Sequence, residues 1–331
     1  MKEPLFILSP PRSFSSLVSS MIGQHPELHA FPELQIFNVP TLGDMMATNK
    51  ARYGRLASPG SIRSIAEVHE QKQTDESCTR AWLWLQQRAG WSPVDFFNYL
   101  REQIDPQIAI EKTPFNTCNA RALETIIRTY PNAKYLHLTR SVNGNAKSLK
   151  EFLRDQDQAL DRKKSKQLTR RDLTREYPAC IWYTCHRNIL SIKSLVKESN
   201  FIQIKGEDLL NHPERVLRSF CTWMNIDTTA TSIDSMMRPH ESPYACIGPK
   251  IAGGGNDGKF MRQPVLKLKN TKQSKGLHTH AERAEDQHYK FDFERFFKEY
   301  KDLPEHELKR IERWHAQLSA EIYTMQERLG Y

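Results

Sequence analysis

The chain of 331 residues carries a formal net charge of +9, with 38% hydrophobic, 10% aromatic and 26% charged residues. The apolar share supports a sizeable core and excludes wholesale disorder, and the length admits two domains or one α/β domain with insertions. The basic balance favours an anionic partner such as nucleic acid, an anionic membrane or a multiply charged cofactor. Much of the excess lies in Arg154–Arg175 and Lys259–Lys275, runs that equally suit solvated loops.

In chain order, Phe6-Ile7-Leu8 is an apolar run stopped by Ser9-Pro10-Pro11, after which Leu17, Val18, Met21 and Ile22 recur at helical spacing. This predicts a strand over about 4–9, a hydroxyl-rich turn, and a helix over about 14–24. Pro26 to Phe37 reads as a loop around Phe31-Pro32-Glu33-Leu34, and 62–90 as helical. Ser92, Pro93 and Asp95 mark a capped helix start. A short strand over Gln107–Ile110 ends at Glu111-Lys112-Thr113-Pro114, a helix covers about 119–130, and a strand covers Lys134–Thr139. Arg140-Ser141 follows, then a helix from about Asn143. Residues 155–175 form a charge-dense connection, 176–199 a helix, Phe201–Lys205 a strand, and a further helix runs from His212-Pro213-Glu214 through Trp223. The glycine run Gly253–Gly258 sits in a loop, and the tail from about 282 is helical with a break at Pro304. Strands alternating with helices predict a three-layer α/β fold, a central parallel sheet covered on both faces.

Six cysteines show no CxxC pair, which fits a reducing compartment. Cys180 with Cys185-His186, His25 with His29, and His278 with His280 lack the further ligands a metal site needs, so no metal is expected. Met1-Lys2-Glu3-Pro4 runs directly into the first strand, whose apolar part is too short for a signal or a membrane span. The expectation is a cytoplasmic protein without membrane or nucleic-acid partners.

The turn at residues 9–16 carries the chemistry. A strand-to-helix turn in a parallel sheet presents backbone N–H groups and the positive end of the helix dipole, an arrangement that binds phosphate or sulfate. Ser13, Ser15 and Ser16 add hydroxyls, and Arg12 a planar cationic fork. The plain alternative is a strand–helix turn with capping serines. The nucleotide-triphosphate loop GxxxxGK[ST] is absent, because neither Gly nor Lys lies between Ser9 and Ser16. A degenerate P-loop kinase is thereby disfavoured. A non-catalytic nucleic-acid-binding protein remains as a reading from another class, although the basic runs lack interleaved aromatics.

The stretch PPRSFSSLVSSMIGQHPEL resembles the 5′-phosphosulfate loop of the sulfotransferases that use 3′-phosphoadenosine 5′-phosphosulfate (PAPS). The strand Tyr135–Thr139 ending at Arg140, with Ser148 eight positions on, is similar to that family's 3′-phosphate site, and Ile110-Glu111-Lys112-Thr113-Pro114 looks like its strand end facing the transferred group. Weaker echoes are Gly206–Leu210 with His212-Pro213-Glu214, the glycine loop, and Leu329-Gly330-Tyr331. The resemblance implies a single sulfotransferase domain over 1–331 with a P-loop-like fold and lid or insertion segments at 38–90, 155–175 and 265–300. It implies PAPS as co-substrate, adenosine 3′,5′-bisphosphate (PAP) as product, no metal, and a small-molecule acceptor sulfated on a hydroxyl or, as the lesser alternative, an amine.

The same resemblance implies cofactor contacts from Arg12, Ser13, Phe14, Ser15, Ser16, Arg140 and Ser148, with Lys259 and Arg262 as further contacts to the 3′-phosphate. Phe14 departs from the family pattern by occupying the usual glycine position, where a positive φ would penalise its Cβ. Pro114 follows Lys112-Thr113, so the catalytic His of the cytosolic small-molecule branch is missing. Glu33 is then the expected general base, with Glu111 and His29 in reserve. Lys112 is assigned to the bridging or sulfate oxygens, and Arg12 to the leaving phosphate. The acceptor's identity and the oligomeric state are not legible.

Overall fold

Strand β1 (Leu5–Leu8) is buried along its whole length, as the apolar run requires, and it forms the centre of a five-stranded sheet. The order is β2-β3-β1-β4-β5, where β2 is Leu28–Ala30, β3 Ile108–Glu111, β4 Lys134–Thr139 and β5 Phe201–Lys205. Pairings of β1 with β3, β1 with β4 and β2 with β3 are parallel, with Leu5 opposite both Ile110 and Lys134. The computed structural model describes residues 1–53, 58–159, 173–174, 176–265, 296, 298 and 303–331. His278, His280 and most of the 155–175 and 265–300 segments lie outside them.

The described chain packs as two compact units. One holds Met1–Ser9, Phe14–Leu138 and Asn188–Lys269, and the other Pro10–Ser13, Thr139–Arg187 and Asn270–Tyr331. The sheet, up to Leu138 of β4, belongs to the first. Its strands alternate side chains between two apolar clusters, since successive residues point to opposite faces. Leu5, Ile7, Ile110, Leu136 and Leu138 face one cluster with Val18, Met21, Leu217 and Phe220. Phe6, Leu8 and Tyr135 face the other with Phe97, Leu100, Leu123 and Ile126. Phe6 stacks on Tyr135 at 5.7 Å and touches Phe97 at 5.6 Å between centroids.

Helix α1 (Ser15–Ile22) follows β1 through the 9–16 turn. Helices α2 (Leu42–Tyr53), α3 (Pro59–Glu70), α4 (Asp75–Gln86), α5 (Pro93–Gln103) and α6 (Ala120–Thr129) come next. The Ser92–Asp95 capping box forms as expected: Asp95 N–H donates to Ser92 Oγ at 3.1 Å, and Ser92 N–H to Asp95 Oδ2 at 3.1 Å. The 62–90 run is two helices rather than one. Gln71 adopts φ 51°, and Thr74 opens α4 with a second capping box through Ser77. Strand β2 lies where a loop was expected, because pairing with β3 supplies the ladder that three residues alone could not.

In the second unit, α7 (Val142–Ala159) starts just after β4. Helix α8 (Ala179–Ile192), in this unit as far as Arg187, is shorter than the 176–199 run and gives way to 3₁₀ turns at Lys193–Leu195 and Glu198–Asn200 of the first unit. Back in the first unit come α9 (Gly206–Asn211), α10 (Pro213–Met224), α11 (Ala230–Met236) and the short α12 (Gly258–Arg262). Helix α13 (Glu305–Leu329) begins directly after Pro304 and ends on Gly330 at φ 83°. Tyr177 packs edge-on to Trp314 at 6.0 Å within the second unit.

Candidate functional site

In the second unit, Arg12, Ser13, Arg140 and Ser148 come together. Arg140 Nη1 donates to the Arg12 carbonyl at 2.6 Å, and Arg12 Nε donates to Ser148 Oγ at 3.2 Å. The Arg12 guanidinium also lies 5.3 Å from the Phe152 ring centroid, over its face. Ser148 reaches this cluster because it lies on α7 two turns beyond the strand-end Arg140. Arg12 sits at φ 69°, a left-handed conformation that costs a non-glycine residue about 1–2 kcal/mol. Asn145, wholly buried on α7, offsets that cost: its Nδ2 donates to the Pro11 carbonyl at 2.8 Å and to Ser13 Oγ at 3.0 Å. Trp182 Nε1 donates to the Arg140 carbonyl at 2.8 Å, fixing the strand end that launches the guanidinium.

In the first unit, Phe14 stands at φ 63°, ψ 9° as the residue before α1 and makes no side-chain cap. The Cβ penalty expected at the usual glycine position is therefore incurred, and the ring compensates by packing against the apolar cluster that contains Val18 and Leu28. Neither an acidic side chain in the first turn nor a cap from Phe14 satisfies the amides that open α1. Ser15 and Ser16 are both buried there.

Lys112 is the hub of this unit. Its side chain is 0% exposed, and Nζ donates to Ser16 Oγ at 3.2 Å, Glu33 Oε1 at 3.0 Å and Asn256 Oδ1 at 2.8 Å. An ammonium has three N–H groups, so each has an acceptor. Ser16 Oγ accepts a second hydrogen bond from Asp257 N–H at 3.0 Å. The backbone of Glu33 is clamped: its N–H donates to the Gly255 carbonyl at 2.7 Å, and its carbonyl accepts from Ser58 Oγ at 3.1 Å. Gly255 takes φ 108°, which only glycine adopts readily, and a Cβ at Gly60 would collide with the Glu33 carbonyl.

Glu111, one residue before Lys112, is almost wholly buried, and burial pushes its carboxyl up to about 7. Asn116 Nδ2 approaches its Oε2 at 3.4 Å. Burial holds His29 down to about 4, with its ring 4.7 Å from Phe31. Both nitrogens of His25 are engaged, Nε2 donating to the Asp227 carbonyl at 2.9 Å and Nδ1 accepting from Glu27 N–H at 3.2 Å. Lys259 and Arg262 are exposed on α12, whose start is capped by the Asp257 carboxylate. Among the described residues, no cluster of three or more His, Cys, Asp or Glu could hold a metal, and no helix is long and apolar enough to cross a membrane.

Three residues at these clusters were not singled out from the sequence: Asn145, Asn256 and Arg63. The guanidinium of Arg63, 0% exposed on α3, donates to Gln73 Oε1 at 2.5 Å, the Gly254 carbonyl at 3.0 Å and the Pro243 carbonyl at 3.1 Å. It thereby ties down the segment carrying Asn256. The only signal for Asn256 was its place within the glycine run Gly253–Gly258.

The model of the sulfotransferase family matches residues 4–230. Among solved structures, the sulfotransferase domain from the curacin biosynthetic pathway aligns at 23% identity and TM-score 0.64, covering 81% of this chain and 88% of that one. The sulfotransferase domain from the Synechococcus PCC 7002 olefin synthase aligns at 24% identity and TM-score 0.61, covering 87% and 94%. No curated protein matches the sequence. The two solved domains share this chain's fold, and the family match spans β1 to the start of α11, so the chain belongs to the sulfotransferase family.

Proposed function

We propose that residues 1–331 serve a single activity: transfer of a sulfuryl group from PAPS to a hydroxyl, or as the lesser alternative an amine, of a small molecule. The observation that carries this reading is the meeting at Lys112 Nζ of three residues drawn from separate segments: the loop hydroxyl Ser16, the expected base Glu33 and Lys112 itself.

The donor set suits a nucleotide with two anionic groups. Arg12, Arg140 and Ser148 offer fixed N–H and O–H donors fit for a phosphate. The uncapped amides at the start of α1, with Ser15 and Ser16, offer neutral donors and a helix N-terminus for a second anionic group. Arg140 and Ser148 would take the 3′-phosphate, with Lys259 and Arg262 adding charge. Arg12, Ser13 and the amides of 14–16 would take the phosphosulfate. When bound, the phosphosulfate supplies an electrophilic sulfur, whose bond to the phosphate oxygen breaks as the acceptor oxygen bonds to it.

The remaining work falls to this chain's side chains. Glu33 Oε accepts the acceptor's proton. Lys112 orients Glu33 through the 3.0 Å contact and presents positive charge to the sulfuryl oxygens. Arg12 stabilises charge on the departing phosphate. Neither proton removal nor charge stabilisation draws on a metal in this scheme.

The test is thermal stability with nucleotides. PAP is expected to raise the melting temperature well above the shift given by 5′-AMP at equal concentration. Equal shifts would overturn the assignment of Arg140 and Ser148 to the 3′-phosphate.

A further inference from the structure

We propose that Asn256 is a positioning residue that keeps Lys112 in place while Glu33 changes charge. This rests on the sulfuryl-transfer reading above and extends it to a residue beyond the family match (4–230).

Lys112 has three acceptors, and they respond differently to the reaction. Glu33 is the only one that changes charge. When it takes the acceptor's proton, the ion pair at 3.0 Å loses its Coulombic attraction. Ser16 Oγ at 3.2 Å is the longest of the three contacts, and it already accepts from Asp257 N–H. Asn256 Oδ1 at 2.8 Å is the shortest, and it is neutral throughout. A lysine stem has four rotatable bonds and a compact ammonium that readily re-aims. An unpaired ammonium in a fully buried position is costly. With Glu33 neutral and its ionic attraction gone, the amide oxygen of Asn256 is the shortest remaining hold on Nζ, at the stage when the sulfuryl oxygens need its charge.

The amide is itself held. Asn256 Nδ2 donates to the Tyr244 carbonyl at 3.1 Å, which fixes the face that Oδ1 presents. Arg63 anchors the chain on both sides, at Pro243 beside Tyr244 and at Gly254 two residues before Asn256. Gly255 O receives the Glu33 N–H at 2.7 Å, so the base and the amide that share one ammonium are joined through a single backbone bond. No carboxylate pairs with Arg63 among the described residues, so this anchor keeps its form when Glu33 takes the acceptor's proton.

Two measurements on the full chain test this. The first needs no turnover: crystal structures of Glu33→Gln, which mimics the neutral base, and of Glu33→Gln with Asn256→Ala. Lys112 Nζ is expected to stay within hydrogen-bond distance of Ser16 Oγ in the single variant and to leave it in the double variant. An ammonium that keeps its place without Asn256, or loses it in Glu33→Gln alone, overturns the proposal. The second measures release of PAP from PAPS with a panel of phenols, alcohols and water as acceptors. Asn256→Ala is expected to lower kcat about tenfold to a hundredfold, while donor KM changes less than about threefold. Asn256→Asp, which keeps an oxygen on Lys112, is expected to recover most of the loss. In a Lys112→Met background, Asn256→Ala should cost nothing further, because the two act through one contact. Equal losses in both backgrounds mean a merely structural loop residue and overturn the role. A wild-type chain that neither binds PAP nor releases it from PAPS overturns the sulfuryl-transfer reading instead, whichever way Lys112 moves in the crystals.

Discussion

Phe14 holds a backbone conformation that glycine would adopt without strain, and its ring is packed well enough to keep it there. Phe14→Ala and Phe14→Gly both remove the ring, but only glycine escapes the left-handed penalty. Chemical denaturation is expected to find the glycine variant more stable than the alanine variant by about 1 kcal/mol, the reverse of the usual order. Glu33 carries the second prediction at this scale. Glu33→Gln keeps the carbonyl oxygen facing Lys112, so the PAP-induced thermal shift should persist while turnover falls roughly 10²- to 10⁴-fold. Near-normal turnover would transfer the base role to Glu111 or a histidine. Arg140 and Ser148 lie eight residues apart on a strand end and the helix after it, the spacing that carried the family resemblance, whereas Arg12 joins them from a turn 128 residues earlier. Asn256 was not legible, since its bond to Lys112 spans 144 residues and depends on how the glycine loop folds back.

Among the elements, caps were read well and boundaries set by tertiary contacts were not. Ser92-Pro93 with Asp95 is a local code and was found. Residues 62–90 looked continuous because apolar spacing carries through the Gln71–Thr74 break, which shows only in a left-handed Gln71 and a Thr74 cap. Strand β2 exists by virtue of β3, about eighty residues later, and no local pattern announces it. The attachment of α3 to the 243–261 segment is equally non-local, with one buried guanidinium at its centre. Arg63→Met should remove the guanidinium donor from the Gly254 carbonyl and leave the Pro243 carbonyl with Gln73 Nε2 at 3.0 Å. A loss of about 2–4 kcal/mol is expected in urea denaturation, with protease cleavage appearing first between residues 243 and 258. Unchanged stability would mean that the loop is held by other contacts.

For the molecule as a whole, alternating strands and helices disclosed the parallel sheet, whereas the strand order emerged only from the pairing. A buried acid near the sheet's centre leaves a mark on global stability. Glu111 has its carboxyl raised from 4.5 to about 7 by burial. Below about pH 4.5 it is protonated folded and unfolded, and contributes no difference. Between about 4.5 and 7 the unfolded chain ionises first, so the folded state binds more protons and stability falls as pH rises. Above about 7 the loss is complete, at about 3 kcal/mol. Glu111→Gln is expected to flatten this decline and to be more stable than the parent at pH 8. A variant whose stability fell as steeply across that interval would assign the slope to other groups.

The two donors converging on Ser16 Oγ have one more effect. With Lys112 on one lone pair and the Asp257 amide on the other, the hydroxyl has no acceptor capacity left and can act only as a donor. A group usually free to spin is thus set as a one-way donor before any ligand arrives, so an anion meeting it would not have to reorient it, and a ligand offering only donors would find nothing there to bind.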